Sequence, residues 1–388
     1  MLKFNLTPAQ QMLCLCIRHC DYLEKDKIKQ LYDSIGDEAL FSQAKLNGVS
    51  SITGHALSIV LGEENLPSHW LKEYAEINER TSSYMNELEK VARLLDKNDI
   101  QLLALKNSGI TLGLYPYCGS CPMGDVDVLV SKTVFRRAHT ILTDAGYELK
   151  FRSPLEEDNI EAAEHGGGAE YSVTLDNGEH LWFELQWRPV AGRWIQPEQE
   201  PKVDDLIKRS KPVNNSKVRL LSPEDNLLQV ALHTAKHSFV RAPGFRLHTD
   251  VDRIVTVEDI DWAIFTTRVC ELKTKTAVYL SLEMARTLLG TSIPDNVLSA
   301  LKPNKLKVKI MNLWLEKVGI FEPDAPKWSK PGFIIFVSLL FDDFSDFFSG
   351  IFPSTRQMKE DYDFSSSLLL TYYHGKRILN LLIKRTNT

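Results

Sequence analysis

Residues 123–130 read Met-Gly-Asp-Val-Asp-Val-Leu-Val. Alternate side chains of a strand share a face, so Asp125 and Asp127 point one way and Val126, Val128 and Val130 the other. Two carboxylates that close repel, and neither belongs in an apolar interior. A bound divalent cation removes both objections. A turn acid followed by an edge-strand acid would leave the same letters, so the pair needs support from elsewhere in the chain.

The stretch HLWFELQW (180–187) supplies a third acid. Its alternation puts Glu184 on one face with Trp182 and Gln186, and Phe183, Leu185 and Trp187 on the other, towards a core. Glutamate is depleted in strands and seldom buried unpaired. If this strand lies beside DVDVLV, Glu184 faces Asp125 and Asp127. Three carboxylates then make an oxygen-rich site suited to Mg2+ or Mn2+. Pairing of Glu184 with Arg188 or Arg193 is the plainer alternative. Upstream, LALKNSGITLGLYP reads as a strand ending at Lys106, a polar turn, and a helix from near Gly109. N–H groups at a helix start suit phosphate oxygens. Lys106 or Ser108 could add a direct contact.

These residues need elements to hold them. Residues 6–95 carry apolar side chains at helical spacing, with Thr7 as a cap and Pro8 in the first turn. WLKEYAEINERTSSYMNELEKVARLLDKNDI predicts one long amphipathic helix. The period then changes. IQLLALK (100–106) and DVDVLV predict strands, and SKTVFRRAHTILTDAGY a helix. YELKF, AEYSVTL and HLWFELQW predict three more strands, with Asn177-Gly178 turning between the last two. From Ser222-Pro223-Glu224-Asp225 onward the pattern is helical again. The expected organisation is a helical region over 1–95, a mixed α/β core over 96–200 and a helical domain over 201–388.

The chain has 388 residues, 43% hydrophobic and 25% charged, with a net charge of −5, which argues against a general nucleic-acid binder. The N-terminus lacks the pattern of a signal peptide. The most apolar run, GFIIFVSLLF (332–341), is too short to span a bilayer and predicts a buried helix. The expectation is a cytoplasmic protein without a membrane partner. Six cysteines are too few for a disulfide scaffold. Cys118 and Cys121 form a C-x-x-C, but a zinc site needs a second half, and Cys16, His19 and Cys20 sit on an apolar helix. A tight loop beside the D-x-D is the simpler reading.

Other features read as structural. His165-Gly166-Gly167-Gly168 suggests a loop tip or a close backbone approach. His233 and His237 share a helical face. Without a third ligand they suggest a polar face turned towards a cleft rather than a metal site. Asp250 and Asp252 would pair with Arg246 or Arg253. Trp182, Trp187 and Trp194 suit core packing, as does FDDFSDFF (341–348).

Taken together, a lysine–glycine turn, a helix, G-D-h-D-h-h-V (h apolar), a helix ending in Gly-Tyr and an h-E-h-x-W strand resemble the nucleotidyltransferase fold of the DNA polymerase β superfamily. More narrowly, LALKNSG, Leu114-Tyr115-Pro116, CPMGDVDVLV, LWFELQW, HTAKHSFV and the tail FPSTRQMKEDYDF resemble a large bacterial family of uncharacterised nucleotidyltransferase-like proteins. The resemblance spans roughly residues 90–380. It implies an α+β fold: a polymerase-β-like core of mixed β-sheet and helices, flanked by N- and C-terminal helical regions. It also implies an enzyme that moves a nucleoside monophosphate from an NTP to a small-molecule or peptide acceptor. Asp125, Asp127 and Glu184 would be its catalytic, metal-binding acids. Lys106, Ser108 and Gly109 would cradle phosphates. Two positions depart from the family pattern. Asn107 stands where the family has glycine, and Cys121 where it has an arginine, whose charge Lys132 or Arg136 would have to replace. A nucleotide-sugar transferase acting on a modified, lasso-type peptide and a catalytically silent nucleotide-binding module are the competing expectations.

Overall fold

A computed structural model describes residues 2–115, 117–153, 158–191, 195–352, 355, 358 and 369–376. Among them, seven strands form one mixed sheet: β1 (Leu102–Ala104), β2 (Val126–Leu129), β3 (Glu148–Leu149), β4 (Gly168–Thr174), β5 (His180–Gln186), β6 (Lys211–Pro212) and β7 (Val218–Leu220). Their order is β3-β4-β5-β2-β1-β7-β6. Strand β5 lies parallel to β2, and β1 runs antiparallel to β2 and parallel to β7. The chain returns to β2 by way of the helix Phe135–Asp144 and the β4–β5 pair, a crossover that parallel neighbours require.

The two faces of the sheet differ, as the alternation of β2 and β5 demands. Val126, Val128, Leu181, Phe183 and Leu185 join Leu88, Val91 and Leu95 of the long helix Ser68–Asp96 and Phe135, Ala138 and Leu142 in one buried cluster. On the opposite face, Leu103, Leu105 and Leu129 pack with Leu206 and Leu221. The acids of β2 and β5 stand beyond the edge of that apolar patch.

The flanking helices share a core. Met12, Leu13, Leu40, Leu57 and Trp70 belong to the same cluster as Leu228, Leu232, Val251, Leu280 and Met311. Thr7 caps the first helix as expected, its hydroxyl accepting the Gln10 N–H at 3.3 Å with Pro8 in the first turn. Ser222 caps Pro223–Lys236 in the same way.

Some local expectations shift. The helix after β1 begins at Lys106, not near Gly109, because Leu105 is its N-cap. Strands β6 and β7 fall within 201–388, a stretch expected to be helical. They are too short for alternation to reveal them. The β4–β5 connection is longer than a two-residue hairpin, with Gly178 at φ +85. His165 and Gly166 end the helix Ile160–Gly166, and Gly167 (φ +104) carries the chain into β4. A Cβ on Gly167 would lie 2.7 Å from the Arg188 side chain, so the close approach is to the protein itself. The apolar run 332–341 forms the helix Lys330–Ser338 and its exit. Phe336 and Leu340 are buried, but Ile335 is 52% exposed, so only one face is covered. Of the 341–348 stretch, Phe341 is buried and Phe348 is exposed. No described helix is long and apolar enough to cross a membrane.

Candidate active site

Strands β2 and β5 bring the expected acids together. In their parallel register Asp127 stands directly beside Glu184. Asp125 lies two residues earlier on the same face, just ahead of β2. The three side chains run from interior to solvent: Asp127 is 2% exposed, Glu184 14% and Asp125 23%.

Each acid is held by named donors. Lys106 reaches across from the start of its helix, its Nζ 2.5 Å from Asp127 Oδ1 and 3.3 Å from Glu184 Oε2. The Gln186 amide donates to the same two oxygens, at 3.1 Å and 2.5 Å. The backbone N–H of Asp127 donates to Ser108 Oγ at 2.9 Å, tying β2 to the Lys106 helix. At the mouth, Arg152 places Nη1 2.7 Å from Asp125 Oδ2 and Nη2 against Glu184 Oε1. Its Nε and its backbone N–H both donate to Glu170 Oε2, at 3.0 Å and 2.9 Å. Glu170 is in turn the β4 neighbour of Glu184.

Burial and charge set the protonation behaviour. Asp127 and Glu184 titrate as a pair. Burial, only partly offset by Lys106, pushes the Asp127 carboxyl well above the usual carboxylate range. Burial acts the same way on Glu184, but Lys106, Asp127 and Arg152 together hold it below that range. Burial opposes the charge on Lys106, and the three acids overcome it and raise its pKa. Four carboxylates, counting Glu170, face three cationic side chains: Lys106 and Arg152, which bond to them, and Lys236 nearby. Hard oxygen donors short of positive charge are the donor set that Mg2+ or Mn2+ fits.

A second wall comes from the helix Pro223–Lys236. Gln229 donates to the Pro189 carbonyl at 3.3 Å, which turns this helix face to the loop leaving β5. One and two turns on, the same stripe presents His233, Lys236 and His237. The two imidazole rings sit edge to face at 4.8 Å. Lys236 feels both Glu184 and Asp127. Solvent reaches its side chain, and desolvation by the protein beside it, with Lys106, lowers its pKa. His233 is likewise held neutral, by burial first and then by His237, Lys106 and Lys236. The histidines share one helix face, as their spacing suggested.

Several expected contacts have other partners here. Ser108 is buried beneath β2. Gly109 packs against Ala104, where a Cβ would lie 2.9 Å from the carbonyl oxygen. The Ser108 hydroxyl and the Gly109 Cα are thus engaged within the protein. Lys132 lies over the Trp187 ring at 4.2 Å, and Arg136 pairs with Glu161 and Glu164. Both are thus engaged within the protein, and Arg152 is the arginine bonded to the acids. Arg188 pairs with Glu200 rather than Glu184. Arg193, Trp194 and most of the 352–364 tail lie outside the described residues. Trp182 flanks Arg152 with its ring 5.7 Å from the guanidinium. Asp250 and Asp252 accept from Thr249 (3.5 Å) and Thr291 (2.6 Å). Their expected partners are engaged elsewhere: Arg246 donates to the Pro122 carbonyl, and Arg253 covers the Tyr115 ring. Cys118 opens a tight turn, and Cys121 is free and buried. Among the described residues, the one group of three whose ligand atoms all lie within 4.8 Å of one another is His19, Cys20 and Asp21, without Cys118 or Cys121; Asp125, Asp127 and Glu184, spread over Lys106 and Arg152, are not drawn that close.

Sequence reasoning missed Arg152, Glu170 and Lys236. Alternation in AEYSVTL does put Glu170 on one face with Ser172, and pairing of that strand with HLWFELQW would have exposed it. Arg152 follows a two-residue strand and carries no local signal.

A family model described as an uncharacterised nucleotidyltransferase matches residues 33–290, a span that holds every residue of this cluster. No curated protein matches the chain.

Proposed function

The chain belongs to the uncharacterised nucleotidyltransferase family, and from that premise we propose that it is a metal-dependent enzyme. In this reading it transfers a nucleoside monophosphate from an NTP to a small-molecule or peptide acceptor. One observation carries the reading: Asp127 and Glu184 are register partners on adjacent parallel strands, with Asp125 on the same face. Asp125, Asp127 and Glu184 would hold Mg2+ or Mn2+, which when bound would shield phosphate charge and lower the pKa of an attacking hydroxyl. Lys106 balances the two buried acids. Gln186 fixes the oxygens they present, and Ser108 fixes the β2 backbone behind Asp127. His233, Lys236 and His237 line the facing wall, where a cationic lysine suits the nucleotide's phosphates and neutral imidazoles suit an acceptor hydroxyl or amine.

The test is product analysis. The full chain is incubated with Mg2+ or Mn2+ and each NTP or nucleotide sugar, and released pyrophosphate and nucleoside diphosphate are measured. Pyrophosphate release that disappears in an Asp125→Asn/Asp127→Asn variant supports the reading. Diphosphate release from a nucleotide sugar would instead point to glycosyl transfer. A nucleotide-induced thermal shift without any product would leave a silent nucleotide-binding module, and neither shift nor product would remove the nucleotide reading.

A further inference from the structure

We propose that Arg152 is an exchangeable counter-ion: it holds Asp125 and Glu184 until a metal–nucleotide arrives, then yields both carboxylates and turns its guanidinium to the nucleotide's phosphates. The inference rests on the reading that the three acids bind a divalent cation.

The geometry separates a fixed charge from a movable one. Lys106 is 10% exposed and bonded to the deepest acid, Asp127. It cannot leave without stranding a buried carboxylate. Arg152 is 37% exposed and stands at the mouth. Its two terminal nitrogens do not form a fork on one partner. Nη1 takes Asp125 Oδ2 and Nη2 takes Glu184 Oε1, so each arm is singly bonded. Those are oxygens that a cation shared by Asp125 and Glu184 would use, and a guanidinium held on them repels that cation. Guanidinium and cation therefore compete at this point.

The root of Arg152 is anchored apart from its tip. Its backbone N–H, 2.9 Å from Glu170 Oε2, holds the main chain to β4. Rotation about the side-chain bonds alone can release both acids, and the Trp182 ring at 5.7 Å offers a flank for the turned guanidinium. Once released, the planar group presents the paired N–H donors that match a phosphate.

Mn2+ binding to the full chain, followed by electron paramagnetic resonance with and without a non-hydrolysable NTP analogue, tests this. In Arg152→Gln the ion alone binds about tenfold tighter, because its competitor is gone. The ion–nucleotide complex binds about tenfold weaker, because a charge-assisted phosphate contact is lost. Arg152→Lys keeps the charge but not the fork. It should bind the complex more weakly than wild type and the free ion no more weakly, and it serves if the glutamine variant does not fold. A purely structural arginine would weaken both. Affinities that fall together, or free-ion binding no tighter in Arg152→Gln, overturn the proposal while the metal site stands. If wild type and variant both fail to bind Mn2+ under either condition, the metal reading falls and takes this proposal with it.

Discussion

Asp127 and Glu184 occupy matching positions on two parallel strands, and one ammonium, that of Lys106, bonds to both. Neither acid is redundant in such an arrangement. Asp127→Asn keeps the shape and the Gln186 contact but removes the innermost group that can ionise to hold a cation. Metal-dependent pyrophosphate release should fall on the order of 10²–10³-fold, the scale for loss of one preorganised electrostatic group. The variant should remain folded by circular dichroism. Release at the parental rate would mean that Asp127 takes no part.

Lys106 separates two buried acids, so its loss should be felt in the fold itself. Lys106→Met leaves Asp127 and Glu184 adjacent without their shared counter-charge. Breaking a buried pair of this kind costs about 3–5 kcal/mol. The melting temperature should drop, and added Mg2+ should restore more of it than the ion adds to wild type. An unchanged melting temperature would show that Lys106 is not the balancing charge.

Much of this site was legible in the sequence because strand alternation is a local rule. DVDVLV and HLWFELQW each declare an acidic face and an apolar face. That the two strands are neighbours is not local, and only the register Asp127 to Glu184 makes the acids a site. Helical periodicity likewise marked the stripe of His233 and His237, while Lys236's approach to the acids depends on how the helix docks through Gln229. Arg152 was invisible because it lies on an irregular segment after a two-residue strand. The helix expected from near Gly109 begins three residues earlier, at Lys106, a boundary that capping signals place only loosely.

The phosphate-cradle role of Gly109 has its own check. A Cβ at Gly109 would sit 2.9 Å from the Ala104 carbonyl oxygen, which is backbone and cannot swing away. Gly109→Ala should destabilise the chain by roughly 1–3 kcal/mol, as overpacking does. Nucleotide KM should stay the same. A raised KM at full stability would support the phosphate-cradle role.

Lys236 faces the acids from the second wall, yet its side chain reaches solvent. Its removal should therefore cost binding rather than stability. Lys236→Ala should raise KM for the NTP about tenfold, the scale of one charge-assisted contact. The melting temperature and kcat should change little. Steady-state kinetics at saturating acceptor decide the matter, and an unaltered KM would remove Lys236 from the nucleotide's path.

His248 controls acid stability from outside the site. It is fully buried, its Nε2 is 2.9 Å from the Phe239 carbonyl oxygen, and its Nδ1 has no partner among the described residues. Donation from Nε2 suits the neutral ring. A second proton would find no acceptor at Nδ1, and burial lowers the pKa from 6.5 to about 4. The unfolded chain thus takes up a proton at higher pH than the folded one. Stability from the neutral ring is complete above about pH 6.5 and is lost progressively as the pH falls towards 4, by about 3 kcal/mol at most. His237, also lowered to about 4, adds to the same window with the same sign. In His248→Gln the amide can still donate to the Phe239 carbonyl and does not titrate. Urea melts between pH 7 and 4 should show a shallower loss for this variant than for wild type, and parallel curves would show that His248 charges as easily inside the fold as outside it.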